Sequence, residues 1–281
     1  MSVSSVSAAN RLFKSDFGQA TIQSAYKCGP MSSRPDGTQC YQKITGGGFP
    51  VAFAGWGTPT MSEFQMLSYQ YPGITPSTAT QYFKNEIQTV TGPNGTPTKV
   101  LYSWKNTSGQ NGYNVTTPTE GGNLYYRYWL KLPTDLASRL TWNSVFEWKT
   151  AGDYRFTTYI YKNSSGGLYW HVQADNEANG GMPPNGQLIK FYEKNSTEPV
   201  PLGKWFLIET WTHRSSGSDG RLAAAINGKI IADFKGPNMG YWKKPINRLA
   251  IVKNYGTGLN YQWIANIEAW DGFPCGTFPC S

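Results

Sequence analysis

The segment at residues 203–237 constrains the fold more than any other part of the sequence. Aromatic and β-branched residues at Trp205–His213 predict a strand, and a Ser/Gly/Asp-rich turn separates it from a small apolar strand at Arg221–Ile226. Asn227-Gly228 is typical of a type I′ turn, and a third strand follows at 229–234. This meander has no helix to pack against. It therefore predicts an all-β protein in which one sheet buries a face on another.

Composition favours a single all-β domain. The chain has 281 residues, of which 39% are hydrophobic and 15% aromatic, and it contains 31 glycines. This mixture is typical of twisted sheets. A regular strand pattern begins at Ile87, and no linker interrupts it. We therefore predict a sandwich domain over residues 87–281, with residues 1–86 forming an N-terminal extension and capping loops packed on the same structural domain.

Three predicted strands alternate between apolar residues and residues that are aromatic, basic or polar. Strict alternation places the two sets on opposite sides of a strand. One side therefore forms the core, and we expect the other to line a concave face shared by all three strands. The residues predicted for that face are Tyr125, Arg127, Trp129 and Lys131, then Arg155, Thr157, Tyr159 and Tyr161, then Tyr169, His171, Gln173 and Asp175.

Three polar or irregular segments are predicted to lie outside the strands. Residues 51–85 are expected to cap one end of the sandwich, with a helical turn within 78–86. Residues 109–122 are predicted to be a long polar loop. Residues 176–201 are rich in Gly, Pro and Asn and are long enough to form a lid.

The charge balance points to an anionic partner. The formal net charge is +8, yet only 15% of residues are charged and no run of five or more Lys or Arg exists. General solubility is one explanation, and a groove for a polyanion is the other. No nucleic-acid motif is present, so we predict no nucleic-acid partner. Sugars stack on Trp and Tyr faces, so the many aromatic residues favour an acidic polysaccharide.

The four cysteines lie in two local pairs near the ends of the chain. Cys28 and Cys40 form one pair, and Cys275 and Cys280 form the other. Free thiols are the alternative, but the even number and local spacing favour two disulfides and an oxidising compartment. No apolar run is long enough to span a bilayer, and the first ten residues lack signal-peptide features. We therefore expect a secreted, extracellular or periplasmic protein with no membrane partner, acting as a monomer.

The order of several motifs resembles one family of all-β proteins. The motifs are YYRYWLKLP (125–133), VFEWK (145–149), PLGKWFLIETWTH (201–213), GRLAAAINGKIIADFKGP (220–237), LAIVKNYG (249–256) and IANIEAWDG (264–272). Over residues 87–272 they are similar to concanavalin A-like jelly-roll polysaccharide lyases, nearest to the heparin-lyase-I-like and glucuronan-lyase-like groups. The resemblance implies a β-sandwich jelly roll of two antiparallel sheets with a concave groove. These lyases often carry a Gln and a His on the strand that here contains Glu147 and Lys149.

The resemblance also implies cleavage of a uronic-acid polysaccharide by β-elimination. This reaction needs a neutralised carboxylate, a base that removes the adjacent proton and an acid that protonates the leaving oxygen. Tyr255 matches the position where such lyases place a catalytic tyrosine. The candidate catalytic residues are His171, Tyr255 and Tyr159. The candidate substrate-binding residues are Arg127, Arg155, Gln173, Lys253, Lys149, Trp129, Tyr169, Trp211, Glu147, Glu209 and His213.

Two other functions stay open at the level of sequence, because the same sandwich serves several activities. A lectin-like protein would bind the glycan without cutting it. A glycoside hydrolase would use Glu147 and Glu209 as facing carboxylates, although the Glu-x-Asp-x-x-Glu pattern of retaining glucanases is absent. No cofactor is predicted, since no Cys/His cluster suits a transition metal. A structural calcium ion held by carbonyl groups and Asp stays open.

Overall fold

The computed structural model describes residues 9–46, 63–116, 122–152, 154–176 and 190–280. Strands dominate these residues, with one 3-10 turn at Ala79–Gln81 and one short helix, α1, at Leu136–Arg139. The strands are β1 (Arg11–Ser15), β2 (Thr21–Met31), β3 (Arg34–Thr45), β4 (Glu63–Ser68), β5 (Phe83–Thr91), β6 (Pro97–Asn106), β7 (Gly109–Thr116), β8 (Asn123–Lys131), β9 (Trp142–Thr150), β10 (Arg155–Lys162), β11 (Leu168–Asp175), β12 (Lys190–Asn195), β13 (Trp205–His213), β14 (Arg221–Ile226), β15 (Lys229–Lys235), β16 (Ile246–Gly256) and β17 (Leu259–Trp270).

Two antiparallel sheets form a β-sandwich jelly roll, as the sequence predicts. Sheet 1 has the order β15-β14-β13-β8-β17-β6-β5, and β1 also pairs with β17. Sheet 2 has the order β12-β11-β10-β9-β16-β7-β4-β3-β2. The predicted meander is present as β13-β14-β15, and both residues of the Asn227-Gly228 turn have positive φ. Neighbours in each sheet are often distant in sequence, which is typical of Greek-key connections.

The main core lies between the two sheets and contains the apolar set of the alternating strands. Trp148 and Trp170 from sheet 2 pack with Phe206 and Tyr126 from sheet 1. The hydroxyls of Tyr126 and Tyr128 donate to the main-chain oxygens of Ile251 and Val145, each at 2.6 Å. Buried tyrosines of sheet 1 thus donate hydrogen bonds to the backbone of sheet 2, so their hydroxyl groups are not left without a partner in the core.

The prediction of a loop over residues 109–122 is wrong for its first part, because residues 109–116 form β7. This strand pairs with β16 on one side and β4 on the other. Its polar character has a packing reason: the side chain of Asn111 is fully buried, donates to the carbonyl oxygens of Trp104 and Lys84, and accepts from Asn85. Residues 117–121 lie outside the described residues.

The first 86 residues contribute strands to both sheets. β1 pairs with β17 in sheet 1, whereas β2, β3 and β4 form one edge of sheet 2. The expected boundary between residues 86 and 87 falls inside β5. We propose one structural domain for the whole chain. Residues 51–62 of the expected capping segment (51–85) and residues 177–189 of the expected lid (176–201) lie outside the described residues. The described parts of both segments correct the prediction, because they contain the sheet 2 strands β4 and β12.

The cysteine pairs form the two expected disulfides. Cys28 joins Cys40 across β2 and β3, and Cys275 joins Cys280 in the segment that follows β17. Among the described residues, none of the helices has the length and apolar character needed to span a bilayer.

Candidate functional site

One face of sheet 2 points away from sheet 1 and carries the aromatic and polar set of the β10–β11 hairpin. The register pairs Tyr159 with His171 and Tyr161 with Tyr169, so these four side chains share that face as the sequence predicts. The rings of Tyr161 and Tyr169 are stacked with centroids 5.9 Å apart. Tyr161 also contacts His171 edge-on at 5.2 Å. We call this side of sheet 2 the outer face of sheet 2.

A charged cluster lies beside this hairpin on β9 and β16. Glu147 is only 2% exposed, and its Oε1 lies 3.0 Å from Lys253 Nζ, 3.3 Å from an Arg248 guanidinium nitrogen and 3.6 Å from Lys149 Nζ. Lys253 is equally buried and also donates to the side-chain oxygen of Gln110 at 3.3 Å. Lys149 and Arg248 keep part of their side chains in solvent.

A second ion pair extends the cluster onto β10 and β11. The Arg155 side chain is 16% exposed, and its Nε donates to the fully buried Asp175 at 3.0 Å. Gln173 donates its side-chain N–H to the same carboxylate, and its Oε1 accepts from His171 Nε2 at 3.2 Å. Since β10 pairs with β9, Arg155 lies directly opposite Lys149. The cation clusters of the two strand pairs are therefore continuous.

The electrostatics of the cluster follow from burial and from an excess of cations. Burial opposes ionisation of Glu147, but Lys253, Lys149 and Arg248 outweigh it and lower its pKa to about 2. Burial lowers the pKa of Lys253 to about 8 despite the attraction of Glu147. Burial likewise lowers the pKa of Lys149, with Arg248 and Arg155 acting in the same direction. Arg248 thus acts against the charge on both lysines.

Four cations and two carboxylates make up this cluster. The cations are Lys149, Arg155, Arg248 and Lys253, and the carboxylates are Glu147 and Asp175. The charge excess is positive, and the groups that keep contact with solvent are cations, whereas both carboxylates are buried. An anion that approaches the outer face of sheet 2 therefore meets guanidinium and ammonium groups first.

A row of aromatic rings crosses the same face, roughly perpendicular to the strands. Trp142 on β9 contacts Tyr255 on β16 at 5.0 Å and Tyr161 on β10 at 6.4 Å. Tyr255 in turn contacts Tyr69, which follows β4, at 6.1 Å. At the other end, His171 contacts Tyr192 on β12 at 5.5 Å. The row therefore spans β4 to β12 and offers apolar ring surface beside the cations.

Cations lie against the rings at both ends of the row. Arg34 lies 5.1 Å from the centroid of Tyr69, and Lys253 lies 4.7 Å from that of Tyr255. On β12, Lys190 lies over Tyr192 at 4.1 Å, and Lys194 over Tyr169 at 4.5 Å. Burial lowers the pKa of His171, opposed by its hydrogen bond to Gln173, and these two lysines add to the lowering.

The three candidate catalytic residues lie on the outer face of sheet 2, but they are not equivalent. Tyr159 is only 5% exposed, and its pKa is raised mainly by burial, so its hydroxyl is withdrawn from solvent. His171 on β11 and Tyr255 on β16 are separated by β10 and β9. Three strand spacings correspond to roughly 14 Å. This spacing separates the two backbones, so His171 and Tyr255 border different parts of the outer face of sheet 2.

Several groups on this face were not among the residues predicted from sequence, and four of them make contacts central to the site. They are Tyr69, Trp142, Tyr192 and Arg248. Burial and the neighbouring Tyr255 raise the pKa of Tyr69. Strict alternation would have placed Trp142 and Arg248 on the core side, because each lies an odd number of residues from the predicted residues of its strand. Register shifts between β9 and its neighbours β10 and β16 bring both side chains to the outer face of sheet 2. The contact of Tyr69 with Tyr255 has no signal in the sequence, because it joins segments far apart in the chain.

Five candidate substrate-binding residues lie on the other sheet, which corrects the prediction that all alternating strands share one face. The register pairs Glu209 with Arg127 and Leu207 with Trp129 on β13 and β8 of sheet 1. Alternation decides which residues share a side of a strand, but it does not decide to which sheet the strand belongs. The residues displaced in this way are Arg127, Trp129, Glu209, Trp211 and His213.

Local contacts on sheet 1 give most of these displaced residues structural roles. Arg127 forms an ion pair with Glu268 at 2.6 Å. His213 Nδ1 lies 2.6 Å from the Asn123 side-chain oxygen. Trp129 lines a separate shallow pocket of sheet 1 together with Arg127 and Glu268. None of these contacts reaches the outer face of sheet 2.

The C-terminal segment covers the middle of sheet 1. Glu209 is fully buried there, and its Oε1 accepts from the Tyr125 hydroxyl at 2.6 Å and from the main-chain N–H of Cys280 at 2.8 Å. Trp211 packs on Phe273 with ring centroids 5.3 Å apart. The glutamate therefore anchors the disulfide-bonded end of the chain.

The two carboxylates proposed for a glycoside hydrolase are thus separated by the sandwich. Glu147 belongs to sheet 2 and Glu209 to sheet 1, and each points away from the core. Packed sheets lie about 10 Å apart, and these side chains diverge from there. Glycosidase carboxylates lie about 5 to 9.5 Å apart across one bond. The pairing of Glu147 with Glu209 is therefore contradicted by the structure.

In the part of the chain that the structure describes, no group of three or more His, Cys, Asp or Glu side chains is placed to hold a metal ion. The ionisable groups on the outer face of sheet 2 are mainly lysines and arginines, which do not bind cations. The chemistry available there is charge neutralisation, hydrogen bonding, ring stacking and proton transfer by tyrosine or histidine.

No protein-family model matches the chain, and no curated protein matches it significantly. Similar solved structures include an endo-β-1,4-glucuronan lyase from the fungus Trichoderma reesei, with 12% identity, a TM-score of 0.49, and 67% of this chain and 89% of that chain covered. A mutant alginate lyase in complex with alginate trisaccharide has 13% identity, a TM-score of 0.46, and coverage of 60% and 80%. The binding domain of botulinum neurotoxin DC in complex with rat synaptotagmin II has 11% identity, a TM-score of 0.43, and coverage of 68% and 42%. The fold assignment rests on the strand pairing itself.

Proposed function

We propose that the outer face of sheet 2 binds an acidic, uronic-acid-containing polysaccharide and that the protein cleaves it by β-elimination. The observation that carries the proposal is the cluster of four cations around two buried carboxylates, next to a row of aromatic rings. Guanidinium groups bind carboxylates bidentately, and rings offer flat apolar surface to sugars. The two features together suit a chain of charged sugars.

Lys149, Arg155 and Arg248 are the groups that would neutralise a uronate carboxylate, because each keeps part of its side chain in solvent. Neutralisation makes the proton on the adjacent carbon easier to remove. The elimination removes that proton, breaks the bond between the next carbon and its glycosidic oxygen, forms a carbon–carbon double bond and transfers a proton to the leaving oxygen. Lys253 and Glu147 are buried, so they organise this cluster from beneath.

Tyr255 is the residue to which we assign proton transfer. It is half-buried, borders the cluster through Lys253, and has the Tyr69 hydroxyl as a neighbour. His171 borders a different part of this face from Tyr255, so we assign it, with Tyr169 and Tyr192, to binding a neighbouring sugar. Tyr159 and Gln173 are buried and are assigned to support of the face.

The separation of His171 from Tyr255 favours a second candidate, a lectin-like protein that binds the same glycan without cleaving it. Both candidates fit an extracellular or periplasmic location, because disulfides persist in oxidising compartments. A monomer with no nucleic-acid or membrane partner remains our proposal for both.

The test is incubation with glucuronan, alginate and heparin, followed by ultraviolet absorbance of the unsaturated uronate product. Tyr255→Phe is expected to lower the rate at least about 100-fold, because it removes the transferable proton.

Tyr261→Phe is the matched control. Tyr261 lies on sheet 1 with Arg139 over its ring at 5.0 Å and Trp263 at 5.3 Å, so it reproduces the local environment on the wrong face.

Three results separate the candidates. Unsaturated product that depends on Tyr255 supports the lyase. Saturable binding without product supports the lectin-like protein. A protein that neither binds nor cleaves any polyuronate contradicts both proposals.

A further inference from the structure

Lys105 is completely buried at the end of β6, and the proposed reaction does not use it. Its Nζ donates to the main-chain oxygens of Gly258 at 2.7 Å, Gly256 at 3.1 Å and Thr107 at 3.2 Å, with that of Thr257 at 3.5 Å. All four acceptors are carbonyl groups. The ammonium therefore lies in a ring of backbone dipoles, as a bound cation would.

These carbonyl groups belong to the two turns where the chain passes between the sheets. Thr107 lies in the turn from β6 to β7, and residues 256–258 lead from β16 to β17. A turn between sheets has few ladder partners for its carbonyl groups, and buried carbonyl groups need donors. Gly258 also donates its N–H to the hydroxyl of Ser108 at 3.1 Å, so the two turns are joined directly as well.

The same two turns hold the aromatic cluster that borders the cations. Tyr255 directly precedes the turn at residues 256–258, which Lys105 contacts. The Thr257 hydroxyl accepts from the main-chain N–H of Trp142 at 3.4 Å, and the Thr257 N–H donates to the Trp142 oxygen at 3.1 Å. Tyr69 donates its N–H to the Ser108 oxygen at 3.0 Å. Each of the three aromatic residues is therefore adjacent in sequence, or directly hydrogen-bonded, to a residue of the two turns that Lys105 joins.

We propose that Lys105 is a positioning residue for the Tyr69–Trp142–Tyr255 cluster, acting through the two turns that its ammonium holds together. Its effect on activity rests on the proposed function, whereas its effect on the geometry of the turns does not. Burial lowers the pKa of Lys105 to about 7, so the experiments are best done near pH 6, where the ammonium form prevails.

The main test compares Lys105→Met with Lys99→Met. Methionine keeps much of the apolar stem of lysine and removes the ammonium. Lys99 lies on the same strand but is exposed, and its Nζ donates to the Gly18 oxygen at 2.9 Å. Lys105→Met is expected to lower kcat on glucuronan about tenfold or more while KM changes less than about twofold, because the cations that bind the substrate are intact. Lys99→Met is expected to leave both constants unchanged.

Hydrogen exchange gives a second readout that does not depend on activity. Lys105→Met is expected to speed amide exchange in residues 253–259 and 141–143 about tenfold, with no change in β13 and β14. In Lys105→Ala, propylammonium is expected to restore part of the lost rate and protection. Tetramethylammonium, which has no N–H donor, is expected to restore neither.

The proposal is wrong if Lys105→Met folds with unchanged kcat and unchanged exchange in the two turns, even if its melting temperature falls. If this variant does not fold, Lys105→Gln and refolding of Lys105→Ala with propylammonium apply the same criteria. Failure of propylammonium to restore the turns of Lys105→Ala, or unchanged kcat and exchange in Lys105→Gln, then overturns the proposal. If wild-type protein cleaves no polyuronate, the proposed function fails, and the exchange data alone decide the role of Lys105.

Discussion

Glu147 and Glu209 are two glutamates that the sequence presents in the same way and that the structure surrounds differently. Each lies in the middle of a strand, points out of the sandwich and is at most 2% exposed. Glu147 is covered by cations, and the closest of them is Lys253. Glu209 is covered by the C-terminal segment and accepts from Tyr125 and Cys280.

The difference shows that the groups packed over a buried carboxylate determine whether its charge is satisfied internally or is surrounded by excess positive charge. Over Glu209 the cover is protein backbone and aromatic rings, so the negative charge is used internally. Over Glu147 the cover is a set of flexible cations, some of which keep access to solvent. An excess of cations over a buried carboxylate leaves positive charge for a ligand, whereas a cover of neutral donors leaves none.

Replacement of the two glutamates by glutamine should separate them most clearly. Glu147→Gln leaves the buried Lys253 without its counter-charge, so we expect a loss of about 3 kcal/mol in the free energy of unfolding. Glu209→Gln keeps an oxygen that can accept from Tyr125 and Cys280, and we expect a loss of only about 1 kcal/mol. Urea unfolding at neutral pH measures both. Equal losses would show that the two surroundings are energetically alike.

The pH dependence of stability should carry the signature of Glu147. Its pKa is lowered to about 2 from an ordinary 4.5, so the stabilisation is present above pH 4.5 and is lost as the pH falls through about 2. The full contribution is about 3 kcal/mol. We expect Glu147→Gln to flatten the acid limb of a plot of unfolding free energy against pH. An acid limb that matches that of wild type would contradict this assignment.

Cation removal should distinguish the two faces by ligand affinity. The double variant Lys149→Ala/Arg155→Ala should weaken glucuronan binding about 100-fold, because it removes two charge-assisted contacts. The matched control is Arg127→Ala/Lys131→Ala, which removes one arginine and one lysine from sheet 1. We expect that control to bind as wild type does. A similar loss in both variants would show that binding follows net charge rather than one face.

Removal of the C-terminal disulfide should affect stability but not binding. Cys275→Ser/Cys280→Ser opens a loop with a sequence separation of 5, for which chain entropy predicts a loss of about 2 kcal/mol. The cover over Glu209 would loosen, whereas the outer face of sheet 2 would not change. Thermal unfolding and glucuronan binding check the two parts. Weakened binding would indicate that the two faces are coupled.

Local patterns predicted the strands well where alternation and turn chemistry agree. The predicted strands at Trp205–His213 and Arg221–Ile226 coincide with β13 and β14. The Asn227-Gly228 turn and both disulfides also follow from short-range information. β7 escaped prediction because its amide side chains are satisfied by distant partners such as Asn85 and the Trp104 backbone, which the local sequence does not reveal.

The residues of the candidate site show the same contrast between local patterns and long-range pairing. Tyr159, His171 and Tyr169 share a face because they belong to one hairpin, and a hairpin is local. Arg127 and Glu209 have the same alternation but lie on sheet 1, because strand order in a jelly roll is set by long-range pairing. The union of β9 with β16 brings Glu147 to Lys253 across 106 residues of sequence.

The sequence by itself determined the all-β class, the residues that share a side of each strand without a bulge, and the two disulfides, because each depends on a repeat of two residues or on nearby partners. Only the tertiary structure decided which strands share a sheet. That choice gathers cations around Glu147 and places Glu209 under the chain's own end. It also brings the Lys105 ammonium to two turns more than 140 residues apart, a contact that no local pattern encodes.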